Sequence, residues 1–156
     1  MIGAIAVAVL VVDQWTKRLV VTHLCFDGCL PWGRHRELIP GWLRLAPEPN
    51  FHGAFGLLGS NIALLVAMAL IVLIIFWLSF REAAERSTLV RVAFGMILGG
   101  AIGNIIDRVH YGYVIDFIDF YRFPDLWRYT FNVGDSCITI GVILLLLSSV
   151  VSRRHV

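Results

Sequence analysis

Charged side chains are scarce in this chain. They make up 15% of its 156 residues, while hydrophobic residues make up 58%, and the mean hydropathy is +0.79. A soluble domain carries about a quarter charged residues and about half apolar ones. The scarcity of charge therefore predicts that lipid is the solvent for much of the chain.

Basic tracts and clusters of metal ligands are missing as well. The net charge is only +2, so we expect no nucleic-acid partner. Too few histidines and cysteines lie near one another to form a zinc site. Cys25 and Cys29 share one short loop, in which they could form a disulfide or remain two thiols.

Long apolar runs are abundant. Four of them stand out, at approximately residues 1–21, 61–80, 89–106 and 136–151. Each approaches the roughly 20 residues that a membrane helix needs. The first run has Asp13 after its apolar core and lacks the basic leader of a cleaved signal peptide, so we expect a retained helix. The prediction is one all-α membrane domain, residues 1–156, with four transmembrane helices and extracytoplasmic loops at approximately 22–60 and 107–135.

The two long loops differ in composition. The loop at 22–60 is rich in proline and glycine, and its segment Gly41–Leu45 alternates as a β-strand does, which predicts a small sheet on the membrane surface. The loop at 107–135 is rich in aromatic residues. Such side chains concentrate at the membrane–water boundary, so this loop is predicted to lie on the bilayer.

Charge density predicts the orientation. The short connection between the second and third runs and the C-terminal tail together hold Arg81, Arg86, Arg91, Arg153 and Arg154. Short basic loops face the cytoplasm, so both termini are predicted to be cytoplasmic. With four spans, the principal polar residues share the opposite side, which favours a surface-facing site over a channel.

Asp116 and Asp135 are the most conspicuous of these polar residues, because each lies at the end of an apolar segment. A carboxylate beside hydrocarbon is costly and usually has a partner or a function. Two carboxylates that share one proton can activate water for attack on a carbonyl, as in aspartic proteases. Asp119 and Asp125 in the same loop are rival candidates. Ordinary helix caps or solvated loop carboxylates are the structural alternative.

The third run carries small and polar residues at helical spacing. Glycine recurs at every fourth position from Gly95 to Gly103, which predicts close helix packing. Asn104, Asp107 and Arg108 follow on one helical face. They form either a surface ion pair between Asp107 and Arg108 or a scaffold that orients a neighbouring site.

The first run carries Asp13 and Lys17 one helical turn apart, so the two side chains can pair. Pairing lowers the cost of both charges at the membrane edge. This predicts a structural role for them rather than a catalytic one.

Together these segments resemble the lipoprotein signal peptidase family, the bacterial inner-membrane aspartic proteases. The resemblance spans Asp13 to Ser136, with the motifs in the family's order. The matching segments are Asp13–Lys17, Asn50–Phe55, Gly99–Arg108, Gly112–Phe117 and Phe131–Asp135. Each motif is short, but the ordered set combined with four apolar runs is specific.

The resemblance implies a four-helix membrane fold with a small extracytoplasmic β-cradle and an aromatic periplasmic loop or helix. It implies an aspartic endopeptidase that cleaves the signal peptide of diacylglyceryl-modified prolipoproteins just before the lipidated cysteine. Asp116 and Asp135 would be catalytic, near the periplasmic face of the bacterial inner membrane. Lipid-modified prolipoproteins and membrane lipids would be the partners, without a metal or an organic cofactor, and we expect a monomer.

The resemblance also implies supporting residues. Those that would bind substrate or position the aspartate pair are Asn50, Gly53, Asn104, Arg108 and Asn132. Those with a structural polar role would be Asp13, Lys17 and Asp107.

Two departures from the family pattern concern specificity rather than the reaction class. His52 stands where glycine is usual, and Gly134 stands where alanine is usual. A different class of function, a small proton-coupled transporter or channel subunit, is the alternative. A proton relay should place ionisable residues on both sides of the bilayer midplane, whereas the second run has none.

Overall fold

The structure is a computed structural model that describes residues 1–24, 34–51, 61–122 and 129–152. Within them the chain forms helices α1 (Ile2–Leu24), α2 (Ile62–Arg86), α3 (Thr88–Tyr111) and α4 (Val133–Ser152). The strands are β1 (Arg36–Ile39), β2 (Leu43–Asn50) and β3 (Val114–Asp119). The predictions for Cys25, Cys29, His52, Gly53 and Asp125 concern positions outside the described residues.

Among the described residues, three helices are long and apolar enough to cross a membrane. They are α2, α3 and residues Val133–Val150 of α4. Much of α2 lies on the surface, and Ile74, Ile75 and Leu78 are each more than half exposed. Soluble monomers rarely expose a continuous apolar surface of this kind. The chain is therefore a multi-pass membrane protein.

The helices extend beyond the apolar runs. α2 continues through the charged residues to Arg86, and α3 continues from Thr88 to Tyr111. The apolar run marks the part of a helix that suits lipid, whereas caps determine where the helix ends. Ser87 alone separates α2 from α3 and caps both, since its N–H donates to the Ala83 carbonyl and its hydroxyl accepts from the Val90 N–H.

Helix α3 lies at the centre and contacts the other three helices. Its glycines permit close approach, as the spacing predicts. A Cβ atom on Gly99 would lie 2.8 Å from the Val9 Cβ and 3.1 Å from the Ala6 Cα of α1. The opposite face of α3 meets α4 in a similar way, where Gly141 packs against Ala93. Two faces of α3 are thus closely packed.

The sheet is antiparallel, in the order β1-β2-β3. The strand predicted over Gly41–Leu45 is confirmed only in part, because β2 starts at Leu43 and Gly41 and Trp42 belong to the turn that precedes it. The strand β3 was not predicted, because it lies in the segment that was predicted to be an aromatic loop. Its sequence Val-Ile-Asp-Phe-Ile-Asp does not alternate between apolar and polar residues. This fits its position in the fold, because its first four residues are all buried and the strand has no solvent-facing side there. Gly112, with a φ of 85°, ends α3 and starts the short turn into β3.

The sheet is attached to one end of the helices by an apolar cluster. Ile115 and Phe117 of β3 pack with Val20 near the end of α1. Asn50 at the end of β2 pairs with Val114 at the start of β3. Asp116 and the segment before α4 are therefore brought to the same end of the bundle.

A leucine at position 99 tests the close packing of α1 on α3. Gly99→Leu is expected to lower the free energy of unfolding by about 2 kcal/mol or more, because even its Cβ overlaps α1. The measurement is thermal unfolding in detergent. Gly3→Leu is the matched control, since no atom lies within 4 Å of a Cβ there. Equal stability of the two variants would contradict the packing.

Candidate active site

A buried lysine is the centre of the polar contacts. Lys17 Nζ lies 2.8 Å from Asp13 Oδ2 and 2.8 Å from Asp107 Oδ2, and it donates to Asn104 Oδ1 at 3.0 Å. Asp13 and Asp107 are fully buried, and Lys17 is 2% exposed. The ammonium thus has three acceptors for its three protons, which offsets much of the cost of burying it.

This arrangement bears on two of the predictions made from the sequence. The Asp13–Lys17 pair forms as the spacing predicts. Asp107, however, pairs with Lys17 and not with its neighbour Arg108. The interpretation of Asp107 and Arg108 as a surface ion pair is therefore wrong, because the Asp107 carboxylate points into the bundle.

The two carboxylates of this ion triad also hold backbone amides. Asp13 Oδ1 accepts a hydrogen bond from the Gly134 N–H at 2.8 Å. Asp107 Oδ2 accepts one from the Ile115 N–H at 3.1 Å. Gly134 directly precedes Asp135, and Ile115 directly precedes Asp116. The triad therefore positions the backbone on which both candidate aspartates are carried.

Asn132 and Asp135 together cap the start of α4. The Asp135 N–H donates to Asn132 Oδ1 at 2.8 Å, and the Asn132 N–H donates back to Asp135 Oδ2 at 3.3 Å. This reciprocal pair is a capping box. The structural alternative of a helix cap is thus correct in part, because Asp135 takes part in the cap, but the cap does not account for all of its contacts. Asp135 Oδ1 also accepts from Asn104 Nδ2 at 2.7 Å.

Asp116 occupies a drier environment. It is 1% exposed, and its two oxygens accept from Asn50 Nδ2 at 2.9 Å and Asn132 Nδ2 at 2.7 Å. Burial and then the negative charge of Asp135 raise the pKa of Asp116 to about 8, against the opposing effect of the two amide hydrogen bonds. Its carboxyl group is therefore protonated at neutral pH.

Two asparagines connect the aspartates. Asn132 Nδ2 donates to Asn104 Oδ1 at 3.1 Å as well as to Asp116. Because Asn104 Oδ1 also accepts from Lys17, the Asn104 amide group is fixed with its NH2 towards Asp135. The chain of hydrogen bonds runs from Asp116 through Asn132 and Asn104 to Asp135.

The other predicted residues fall near this chain or away from it. Arg108 Nη1 donates to the Asn104 carbonyl at 3.3 Å, and its buried Nε has no partner within the described part of the chain. Asp119, a rival candidate, pairs with Arg44 at 2.6 Å on the sheet. Gly53, predicted to bind substrate, lies outside the described residues.

Gln14 is a contributor for which the sequence predicted no role. Its Nε2 donates to Asp107 Oδ1 at 2.9 Å and to the Gly103 carbonyl at 3.2 Å. The available signal was a second polar residue beside Asp13 in an apolar run. Its amide satisfies an oxygen of Asp107 that Lys17 does not reach, and so completes the triad.

Gly134 marks a close approach in the site. A Cβ there would lie 3.1 Å from each of Asn132 Oδ1, Asp13 Oδ1 and the Gly100 carbonyl oxygen. An alanine would require these acceptors to move by a few tenths of an ångström. The glycine at this position therefore permits the close approach of α1, α3 and the start of α4.

Fold and site together define a multi-pass membrane protein with two carboxyl groups linked through two asparagine amides at one end of its helices, an arrangement suited to hydrolysis. Comparison with known proteins agrees with this class. The model of the family described as signal peptidase (SPase) II matches residues 5–151.

Individual relatives cover nearly the whole chain. The lipoprotein signal peptidase of Symbiobacterium thermophilum is 39% identical over 150 residues, covering 96% of this chain and 94% of that protein. The one from Chlorobium phaeobacteroides is 41% identical over 151 residues, covering 91% of each. A solved bacterial membrane enzyme at 2.3 Å resolution matches with a TM-score of 0.81 and 33% identity, covering 96% of this chain and 87% of that one.

The chain belongs to the signal peptidase II family. It is therefore a membrane-bound protease, as the ordered motifs predicted. The alternative of a transporter or channel subunit receives no support from these comparisons.

Removing the lysine tests the ion triad. Lys17→Met leaves Asp13 and Asp107 buried without their cation, so the free energy of unfolding is expected to fall by about 3–5 kcal/mol. Thermal unfolding in detergent measures the change. Arg18→Gln removes an exposed positive charge from the next position and is expected to change stability by about 0.5 kcal/mol at most. A Lys17→Met protein as stable as Arg18→Gln would rule out the triad as a structural centre.

Proposed function

We propose that this chain is an aspartic endopeptidase that removes the signal peptide of diacylglyceryl-modified prolipoproteins just before the lipidated cysteine. The observation that carries the proposal is the chain of hydrogen bonds from Asp116 through two asparagines to Asp135. The relatives are named lipoprotein signal peptidases, which supports this substrate class.

The different surroundings of the two aspartates support different roles. Asp116 is buried and protonated, so it donates a hydrogen bond to the scissile carbonyl oxygen. Asp135 is partly exposed at the start of α4, where water reaches it, and it acts in its ionised form as the general base. One proton is thus held by the pair as the reaction begins.

The reaction then proceeds in two steps. A water oxygen bonds to the scissile carbonyl carbon, one water proton passes to Asp135, and the carbonyl oxygen takes the proton of Asp116. When the tetrahedral intermediate collapses, the carbon–nitrogen bond breaks and the proton on Asp135 passes to the departing amine. The intermediate's hydroxyl returns a proton to Asp116, which restores the starting state.

Neighbouring residues act by positioning. Asn50, Asn104 and Asn132 hold the two carboxyl groups through the hydrogen bonds described above, and Arg108 lies beside Asn104. Asp13, Lys17 and Asp107 form the structural support beneath them. Gly53 stays a prediction from the family resemblance.

We infer that α1 is a fourth transmembrane helix in a single membrane domain of residues 1–156. Its charges at Asp13 and Lys17 face inward and pair, which lowers the cost of crossing. Its outward side chains Val7, Val11 and Trp15 are each 59% exposed and suited to lipid.

In this arrangement the protein is a monomer in the bacterial inner membrane with both termini in the cytoplasm. The β-cradle and the aromatic segment lie on the periplasmic side with the aspartate pair. A lipid-anchored substrate remains in the plane of the bilayer, so a site at the membrane surface meets the scissile bond without extracting the lipid.

Replacing either aspartate tests the catalytic pair. Asp116→Asn and Asp135→Asn are each expected to lower the cleavage rate of a lipidated prolipoprotein about a hundredfold or more, because general acid–base catalysis is lost. Asp119→Asn is the matched control from the same strand, since Asp119 pairs with Arg44 instead. The assay uses purified protein with folding checked by thermal unfolding. Near-full activity in Asp116→Asn or Asp135→Asn would overturn the assignment.

The pKa of Asp116 predicts the alkaline limit of the activity. Its protonated form is required and its pKa is about 8, so the rate should fall as pH rises through about 8, by about tenfold for each further unit. Initial cleavage rates between pH 6 and pH 10 measure this limit, and Asp119→Asn should show the same one. A rate that stays constant to pH 10 would show that a protonated Asp116 is not needed.

A further inference from the structure

A second polar site lies at the other end of the helices. A groove of about 510 Å³ separates the α2–α3 turn from the last part of α4. Ser148 in its wall and Asp135 at the start of α4 are roughly 20 Å apart along the helix, given the rise of about 1.5 Å per residue. The groove is therefore remote from the aspartate pair.

One wall of the groove carries two opposite charges. Glu82 and Arg86 lie one turn apart on α2, and both are exposed. Such pairs often form ion pairs, but within the described residues neither side chain has an ion-pair or hydrogen-bond partner. Within the described part of the chain, both charges are thus available to a ligand.

Hydroxyl groups lie beside these charges. Ser87 lines the groove, and its oxygen accepts from the Val90 N–H, so the hydroxyl hydrogen can still be donated. Ser148 lines the groove from α4. Two hydroxyl donors and one guanidinium therefore surround the polar end.

The other wall is apolar and exposed. Leu89 and Leu147 line it, at 41% and 54% exposure. Behind them, Val90 and Leu145 belong to the packed core of α2, α3 and α4. The groove thus has one charged wall and one apolar wall. It lies near Arg81, where the charge-free part of α2 ends.

We propose that this groove binds a phospholipid whose headgroup carries a phosphate and a primary ammonium, namely phosphatidylethanolamine. Arg86 and the two serine hydroxyls bind the phosphate, and Glu82 binds the ammonium. The acyl chains lie along Leu89 and Leu147.

Charge complementarity selects this lipid. Arg86 alone would suit any anionic lipid, but the neighbouring Glu82 carboxylate repels a headgroup with a net negative charge. A quaternary ammonium matches the charge of Glu82 but cannot donate a hydrogen bond to it. The site does not depend on the proposed peptidase mechanism, so each can fail without the other.

Native mass spectrometry of the purified full chain in detergent tests the proposal. The probes are phosphatidylethanolamine, phosphatidylglycerol and phosphatidylcholine with identical acyl chains. The wild type is expected to bind phosphatidylethanolamine about threefold or more tightly than either of the others. Glu82→Gln should abolish this preference, and Arg86→Gln should weaken binding of all three lipids by about threefold.

Arg81→Gln is the matched control, because it removes the same charge from the same helix outside the groove. It should keep the wild-type affinities, and all of these variants should keep the cleavage activity. Equal affinity of the wild type for the three lipids would overturn the proposal, as would an Arg81→Gln effect equal to that of Arg86→Gln. If a chain ending at Ser152 bound all three lipids more strongly, the C-terminal tail would be the natural occupant of the groove. That result would also contradict the proposal.

Discussion

The burial of Lys17 between Asp13 and Asp107 is the interaction on which the rest of the site depends. It links α1 to α3 directly, and through the Gly134 and Ile115 amides it also fixes the start of α4 and the start of β3. A buried charge that loses its partner costs several kcal/mol. The lysine and its two carboxylates therefore hold α1, α3, the start of α4 and the start of β3 together in the folded protein.

Asymmetry between the two aspartates follows from the elements that carry them. Asp116 lies on a strand covered by the ends of the helices, where burial favours the neutral carboxyl group. Asp135 lies in the first turn of α4, where the helix N-terminus stabilises negative charge. Two identical side chains thus occupy different surroundings, one on a strand and one at a helix end, and the same ion triad positions both elements.

Much of this architecture could be predicted from the sequence, and the failures have physical causes. Apolar runs indicated the three helices that are long and apolar enough to cross a membrane in the described part of the chain, and local spacing predicted the Asp13–Lys17 pair. The partner of Asp107 could not be predicted in this way, because spacing describes contacts within one helix and Lys17 lies on another. The strand β3 was missed because burial on both faces removes the alternation that identifies strands.

Two asparagines connect the charged groups of this site beside the membrane. The Asn104 amide accepts from Lys17 and donates to Asp135, so it connects a cation to an anion without adding charge. Asn132 similarly joins Asp116 to Asn104. A carboxylate in either place would add a buried negative charge beside the aspartate pair, and a lysine would have no acceptor role. Neutral amides therefore fix the charged groups relative to one another by hydrogen bonds, at a lower desolvation cost than further ion pairs would have.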